Sequence, residues 1–216
     1  MNIRSLAFAL ALTGGIASYA IAGDFNLMMP VRGGNGGQDV NAFLRTADEA
    51  HHLTSEAAFA LSQALLAKEA AQDAQDRLQA AKAISDPKER EAAMAAVEQD
   101  VQAQLAKVDY EAKANEIAAA NDKRKKALVN AAMHNFTLGV LKDRELVGRG
   151  QALAVSAASN PALIAQAGKV RDAVALIGGQ LGNMGKIMTG LQKLNSRLGS
   201  APLPTSSTAT PVPVAD

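Results

Sequence analysis

The chain has no cysteine and no tryptophan, and aromatic residues make up 3% of it. Lack of cysteine excludes disulfides, thiolate metal sites, a cysteine nucleophile and a lipidated N-terminal cysteine. Any stable fold must therefore come from packing alone. Aromatic and β-branched residues are too sparse, and period-two alternation too short-lived, for a sheet. Net charge is only +1 over 216 residues, which gives no whole-chain case for nucleic acid. No Ser-His-Asp arrangement, phosphate-cradling glycine loop or dinucleotide fingerprint is present. Nothing in the residues asks for a cofactor or for catalysis.

Instead, hydrophobic residues make up 48% of the chain, chiefly alanine with leucine, valine, isoleucine and methionine. Alanine, leucine, glutamine, glutamate and lysine lose little freedom in a helix. The sequence predicts an all-α fold: an elongated antiparallel bundle of three or more long helices, with a signal peptide and a disordered C-terminal tail.

Residues 1–22 read as the signal peptide. Arg4 precedes an apolar run from Leu6 to Leu12, and Ala20-Ile21-Ala22 supplies small residues at a cleavage site. The expected location is periplasmic or secreted, after cleavage near Ala22. Residues 23–38 read as a glycine-rich linker, with Phe25, Leu27, Met28 and Met29 ahead of the glycines.

Asp39 is the expected cap of a first helix over 39–84, whose seam is Phe43, Ala47, Ala50, Ala57, Leu61, Ala64, Ala71 and Leu78. Asp86-Pro87 with Glu89 marks the start of a second helix over 87–136, antiparallel to the first. Its seam of Met94, Val101, Leu105, Val108 and Ala112 runs into Asn115, Asp122 and Lys126 before resuming at Val129, Met133 and Phe136. Three polar residues on a core stripe cannot all be buried unpaired. The seam therefore shifts phase there, toward Ile117 and Leu128, or the stretch projects into solvent. Gly139, Gly148 and Gly150 predict a broken connection over 138–158. Asn160-Pro161 opens a last helix over 161–198, with the seam Val170, Val174, Ile177, Leu181, Met184, Met188, Leu191 and Leu198. The helical bundle thus covers 39–198, and residues 199–216, rich in proline, serine and threonine, read as a disordered tail.

Several constellations are candidates for function. Asp48, His52 and Glu56 share a helix face at four-residue spacing, a metal or acid–base set to which His134 would have to add a ligand. Gly178, Gly182 and Gly185 stand in a strongly helical stretch with Lys186 and Lys193. They predict close packing against the alanine-rich first helix, a flexible segment that rearranges on a membrane or partner, or a break in the helix. Residues 136–199 hold eight basic and three acidic residues. The Lys123-Arg124-Lys125-Lys126 cluster lacks interleaved aromatics and reads as a solvated face. Asn115, Asp122 and Lys126 are the candidate interaction surface.

These features predict an exported, non-enzymatic helical protein of the bacterial envelope: a scaffold, assembly factor or secretion accessory. Its partner would be another envelope or secretion-associated protein, or a second copy of itself. The alternative is reversible binding to a lipid surface, pore formation included. A second alternative is a metal protein or enzyme using His52.

Overall fold

The computed structural model describes residues 34–214, and every regular element among them is helical. The predicted signal peptide and residues 23–33 of the linker lie outside the described residues. Six helices follow in order: α1 Gly34–Leu65, α2 Lys68–Lys82, α3 Pro87–Leu105, α4 Tyr110–Ala120, α5 Lys123–Ala158 and α6 Ile164–Leu198. A 3-10 turn, Pro161–Leu163, enters α6.

α1 lies along α5, α5 along α6, and α4 against α6. The first two pairs run antiparallel: Gly139 faces Ala50 and Thr54, whereas Gly150, further along α5, faces Phe43, earlier in α1, and the early part of α5 shares a core with the late part of α6. α2 and α3 form a hairpin packed against α1 through α3. Within that hairpin Arg77 reaches Asp100 at 2.6 Å, as the short turn before Pro87 requires.

Four sequence expectations are corrected. The helix expected over 39–84 is two helices. The first begins at Gly34, so residues 34–38 of the supposed linker are helical, and it ends at Leu65. Ala67 is extended (φ −62°, ψ 146°), and Gln63 Nε2 donates to Ala71 O at 3.1 Å across the break. The break lets α2 fold back so that Leu78 and Ala81 meet Met94 and Val97.

The helix expected over 87–136 is three pieces. α3 stops at Leu105, α4 restarts under an Asp109 cap, and α5 restarts under an Asp122 cap after left-handed Asn121. Each restart resets the helical phase, which puts Ile117 in the core and leaves Asn115 and Asp122 exposed.

The connection expected to be broken over 138–158 is an uninterrupted part of α5. Gly139 and Gly150 do not break it, because their missing side chains are what let neighbours approach. A Cβ on Gly139 would lie 2.6 Å from Thr54 Cγ2, and one on Gly150 would lie 2.8 Å from the Phe43 ring and strike Val174 as well.

Finally, the C-terminal segment is laid back along α5. Asn135 Nδ2 donates to Val212 O at 2.7 Å and its Oδ1 accepts from Val212 N at 2.8 Å. Ser200 Oγ donates to Asn130 Oδ1 at 2.7 Å, and Ser207 Oγ donates to Glu145 Oε2 at 2.6 Å. Composition predicts disorder, but amide and carboxylate side chains on α5 supply the partners that a proline-rich strand cannot find within itself.

The interior is divided. One core joins Ala57–Leu65 side chains of α1 to Val129, Phe136 and Val140 of α5 and Met184, Leu191 and Leu198 of α6. A second joins Val40, Phe43 and Ala50 of α1 to Leu146 and Ala157 of α5 and Leu163, Val170 and Ile177 of α6. Between them lies a layer of buried polar side chains: Thr54 and Ser55 from α1, Asp143 from α5, Gln180 from α6 and Glu98 from α3.

Candidate functional site

The polar layer opens into a cleft of about 310 Å³ between α1, α3 and α6. Asp48, His51 and His52 form one wall, Lys88, Glu91, Met94 and Glu98 another, and Leu176 and Gln180 close it. Successive turns of α1 carry Asp48 and His51/His52 to the same side, as three- and four-residue spacing dictates. Glu98 sits between Met94 and Val101 on the buried stripe of α3 and is 4% exposed.

A buried carboxylate needs donors. Glu98 Oε1 accepts from Ser55 Oγ at 2.6 Å. Its Oε2 accepts no hydrogen bond, and the His51 imidazole stands 3.5 Å away, an ionic partner only when protonated. Below the cleft, Asp143 shares a smaller void with Asp48, His51 and Gln180. Burial pushes the Asp143 carboxyl up to about 7, because the charged form is penalised away from water.

The predicted metal set is split by this geometry. Asp48 and His52 both line the cleft, but Glu56 is not among its walls. Burial raises the Glu56 carboxyl above its ordinary range, and the nearby His52 and Lys82 charges work against that rise. His134 lies on α5, with Nε2 3.0 Å from Thr210 O in the C-terminal segment. Among the described residues no group of three histidine, aspartate or glutamate side chains is placed to hold a metal ion.

The expected interaction surface is the corner between α4 and α5. Asn115 and the run 118–124 are exposed, and Lys126 is half-buried. Asp122 has a local task there, accepting from Lys125 N at 3.0 Å as the cap of α5.

The glycines of α6 are not packed against α1. A Cβ on Gly178, Gly179, Gly182 or Gly185 would meet nothing within 4 Å. Gly178, Gly182, Lys186 and Lys193 lie on one exposed face, with half-buried Gly185 at its edge. By contrast Gly190, one turn beyond Lys186, receives the ring of Tyr110, whose Cγ would lie 2.7 Å from an added Cβ. Tyr110 is anchored by donating from its hydroxyl to Leu105 O at 3.0 Å.

Sequence reading singled out His52 and passed over His51, Ser55, Glu98, Asp143 and Gln180. The signal was available for three of them: Glu98, Asp143 and Gln180 each interrupt an apolar stripe with a polar residue. Comparison with protein-family models, with curated proteins and with solved structures returns no match for the chain.

Proposed function

We propose that this chain is an exported, non-enzymatic helical protein of the bacterial envelope that works by contact with another protein, as a scaffold, assembly factor or secretion accessory. The observation that carries the reading is the open glycine face of α6. A glycine inside a helix costs about 1 kcal/mol relative to alanine. Gly139, Gly150 and Gly190 offset that cost by close contacts inside the molecule, whereas Gly178, Gly179 and Gly182 have no such contact. A face stripped of side chains at three- and four-residue spacing suits a partner helix that approaches to backbone distance. The α4–α5 corner around Asn115, Asp122 and Lys126 would extend the contact at the other end. Support for export rests on Arg4, the Leu6–Leu12 run and Ala20-Ile21-Ala22.

The test is site-specific photo-crosslinking in the native envelope. Probes at Gly178 and Gly182 should give a discrete adduct that a probe at exposed Asp73 on α2 does not. Gly182→Leu should abolish the adduct while the chain stays folded. Equal adducts from both faces would end the proposal. N-terminal sequencing of the periplasmic fraction should find Gly23 first; an uncleaved cytosolic chain would remove the envelope assignment.

Lys186 and Lys193 beside the same glycines favour a second reading, a lipid surface. No described helix is long and apolar enough to cross a membrane, so such binding would be peripheral. Co-sedimentation with anionic but not neutral vesicles, lost in Lys186→Glu/Lys193→Glu, would support it over a protein partner.

A further inference from the structure

The cleft between α1, α3 and α6 has features that neither a packing defect nor the α6 contact face explains. Its floor carries Glu98, which is 4% exposed and has one oxygen without a hydrogen-bond donor. Leaving a buried acceptor unpaired is costly, and native proteins rarely do so. Ser55 serves only the other oxygen, and His51 at 3.5 Å is too far for a good hydrogen bond.

The remaining walls narrow the chemistry. Asp48 and Glu91 add carboxylates, Asp143 lies just below, and Lys88 is the one lysine or arginine in the lining. With His51 and His52, which also line it, neutral, three carboxylates face one lysine, a balance that disfavours anions. Metal ions fit poorly, since no trio of ligating side chains converges among the described residues. Met94, Leu176, Ala92 and Ala95 give it an apolar side. At about 310 Å³ it stands at the lower end of the roughly 300–1,000 Å³ range of small-molecule sites.

We propose that this cleft binds a small organic cation, a primary amine whose ammonium group supplies the missing donor to Glu98 and whose short apolar body lies against Met94 and Leu176. Asp48 and Glu91 at the mouth attract it. Gln180, 7% exposed at the junction with the lower void, limits how deep it enters. The assignment is independent of the α6 face.

Isothermal titration of the full chain with n-butylamine and 1,4-diaminobutane tests it, with n-butanol and butyrate as neutral and anionic controls of similar size. The amines should bind saturably with one-to-one stoichiometry, and the controls should give no saturable heat. Glu98→Gln keeps the shape and removes the charge. It should weaken amine binding about tenfold or more, as loss of a hydrogen bond to a charged group implies. Glu69→Gln, on exposed α2 surface away from the cleft, should bind as the wild type does. Should Glu98→Gln fail to fold, Ala92→Trp replaces it: the position is exposed, and the indole would fill the mouth and block binding. Butanol binding as well as butylamine, amine binding that survives both Glu98→Gln and Ala92→Trp, or no saturable amine heat at all would each overturn the proposal.

Discussion

Gly190 and Gly182 lie two turns apart on α6 and answer to different physics. An alanine methyl at Gly190 would be driven into the Tyr110 ring, and overpacking of this kind costs about 1–3 kcal/mol. At Gly182 the methyl enters open space, so only helix propensity changes, a gain of up to about 1 kcal/mol. Urea denaturation should therefore find Gly190→Ala less stable and Gly182→Ala more stable than the wild type. Equal losses at both positions would mean that the α6 glycines are buried after all. Asp143 supplies a second expectation at this scale. Its carboxyl is raised from 3.8 to about 7 by burial, so between those values the folded chain holds a proton that the unfolded chain has released. Stability is full below the lower value, falls as pH climbs, and has lost up to about 4 kcal/mol once Asp143 ionises. Asp48 and His51 face the same void and add their own charges to it. Asp143→Asn should flatten the decline between pH 5 and pH 8, so the variant gains most over the wild type at pH 8. An identical slope in both proteins would remove Asp143 as its source. The two adjacent histidines show what was and was not legible in the residues. Four-residue spacing drew His52, Asp48 and Glu56 together, but burial depends on which side of α1 meets α3. That side brings His51 within reach of Glu98.

Helix seams were legible wherever local pattern and packing agree. All eight seam residues expected in the first segment, Phe43 through Leu78, are buried, although they belong to two helices. The last seam holds from Val170 to Leu198, with Val174 and Leu181 only half-buried. Boundaries were legible only where a capping residue announces them. Asp86 accepts from Lys88 N and Glu89 N at 2.9 Å each, as Asp-Pro with a following glutamate implies. Removing those bonds with Asp86→Ala should cost about 1 kcal/mol in thermal or urea unfolding; no change would make the turn, and not the cap, the source of the start. The break after Leu65 carries no such mark, since neither glycine nor proline is near. It exists because Leu78 and Ala81 find Met94 and Val97 only if the chain folds back, a long-range gain that outweighs propensity. The reverse error arose in α5. Gly139 and Gly150 look like helix breakers until α1 and α6 are placed against them, and only a three-dimensional neighbour makes their absent side chains useful. The C-terminal segment was illegible for the same reason: Asn135 and Glu145, its partners, lie more than sixty residues away.

Across the whole molecule, α1, α3, α5 and α6 each carry a polar interruption at the same level, with Thr54 beside Ser55 on α1. Ser55 on α1, Glu98 on α3, Asp143 on α5 and Gln180 on α6 share the layer between the two apolar cores. Such a layer fixes how the helices align. Sliding α3 by one turn along α1 would part Ser55 from Glu98, and sliding α5 would press Asp143 into one of the apolar cores, costs that apolar stripes alone would not impose. It also predicts how the molecule comes apart. Native-state hydrogen exchange should resolve two groups of amides, one around Phe43, Leu146 and Val170 and the other around Leu61, Met133 and Leu191, with distinct opening free energies. A single value across both would mean that the layer transmits cooperativity intact.

Joined at a polar waist, the two cores would then behave as short levers on three shared axles, α1, α5 and α6. A molecule that lodges at the waist would not need to touch either end to change how stiffly one lever follows the other.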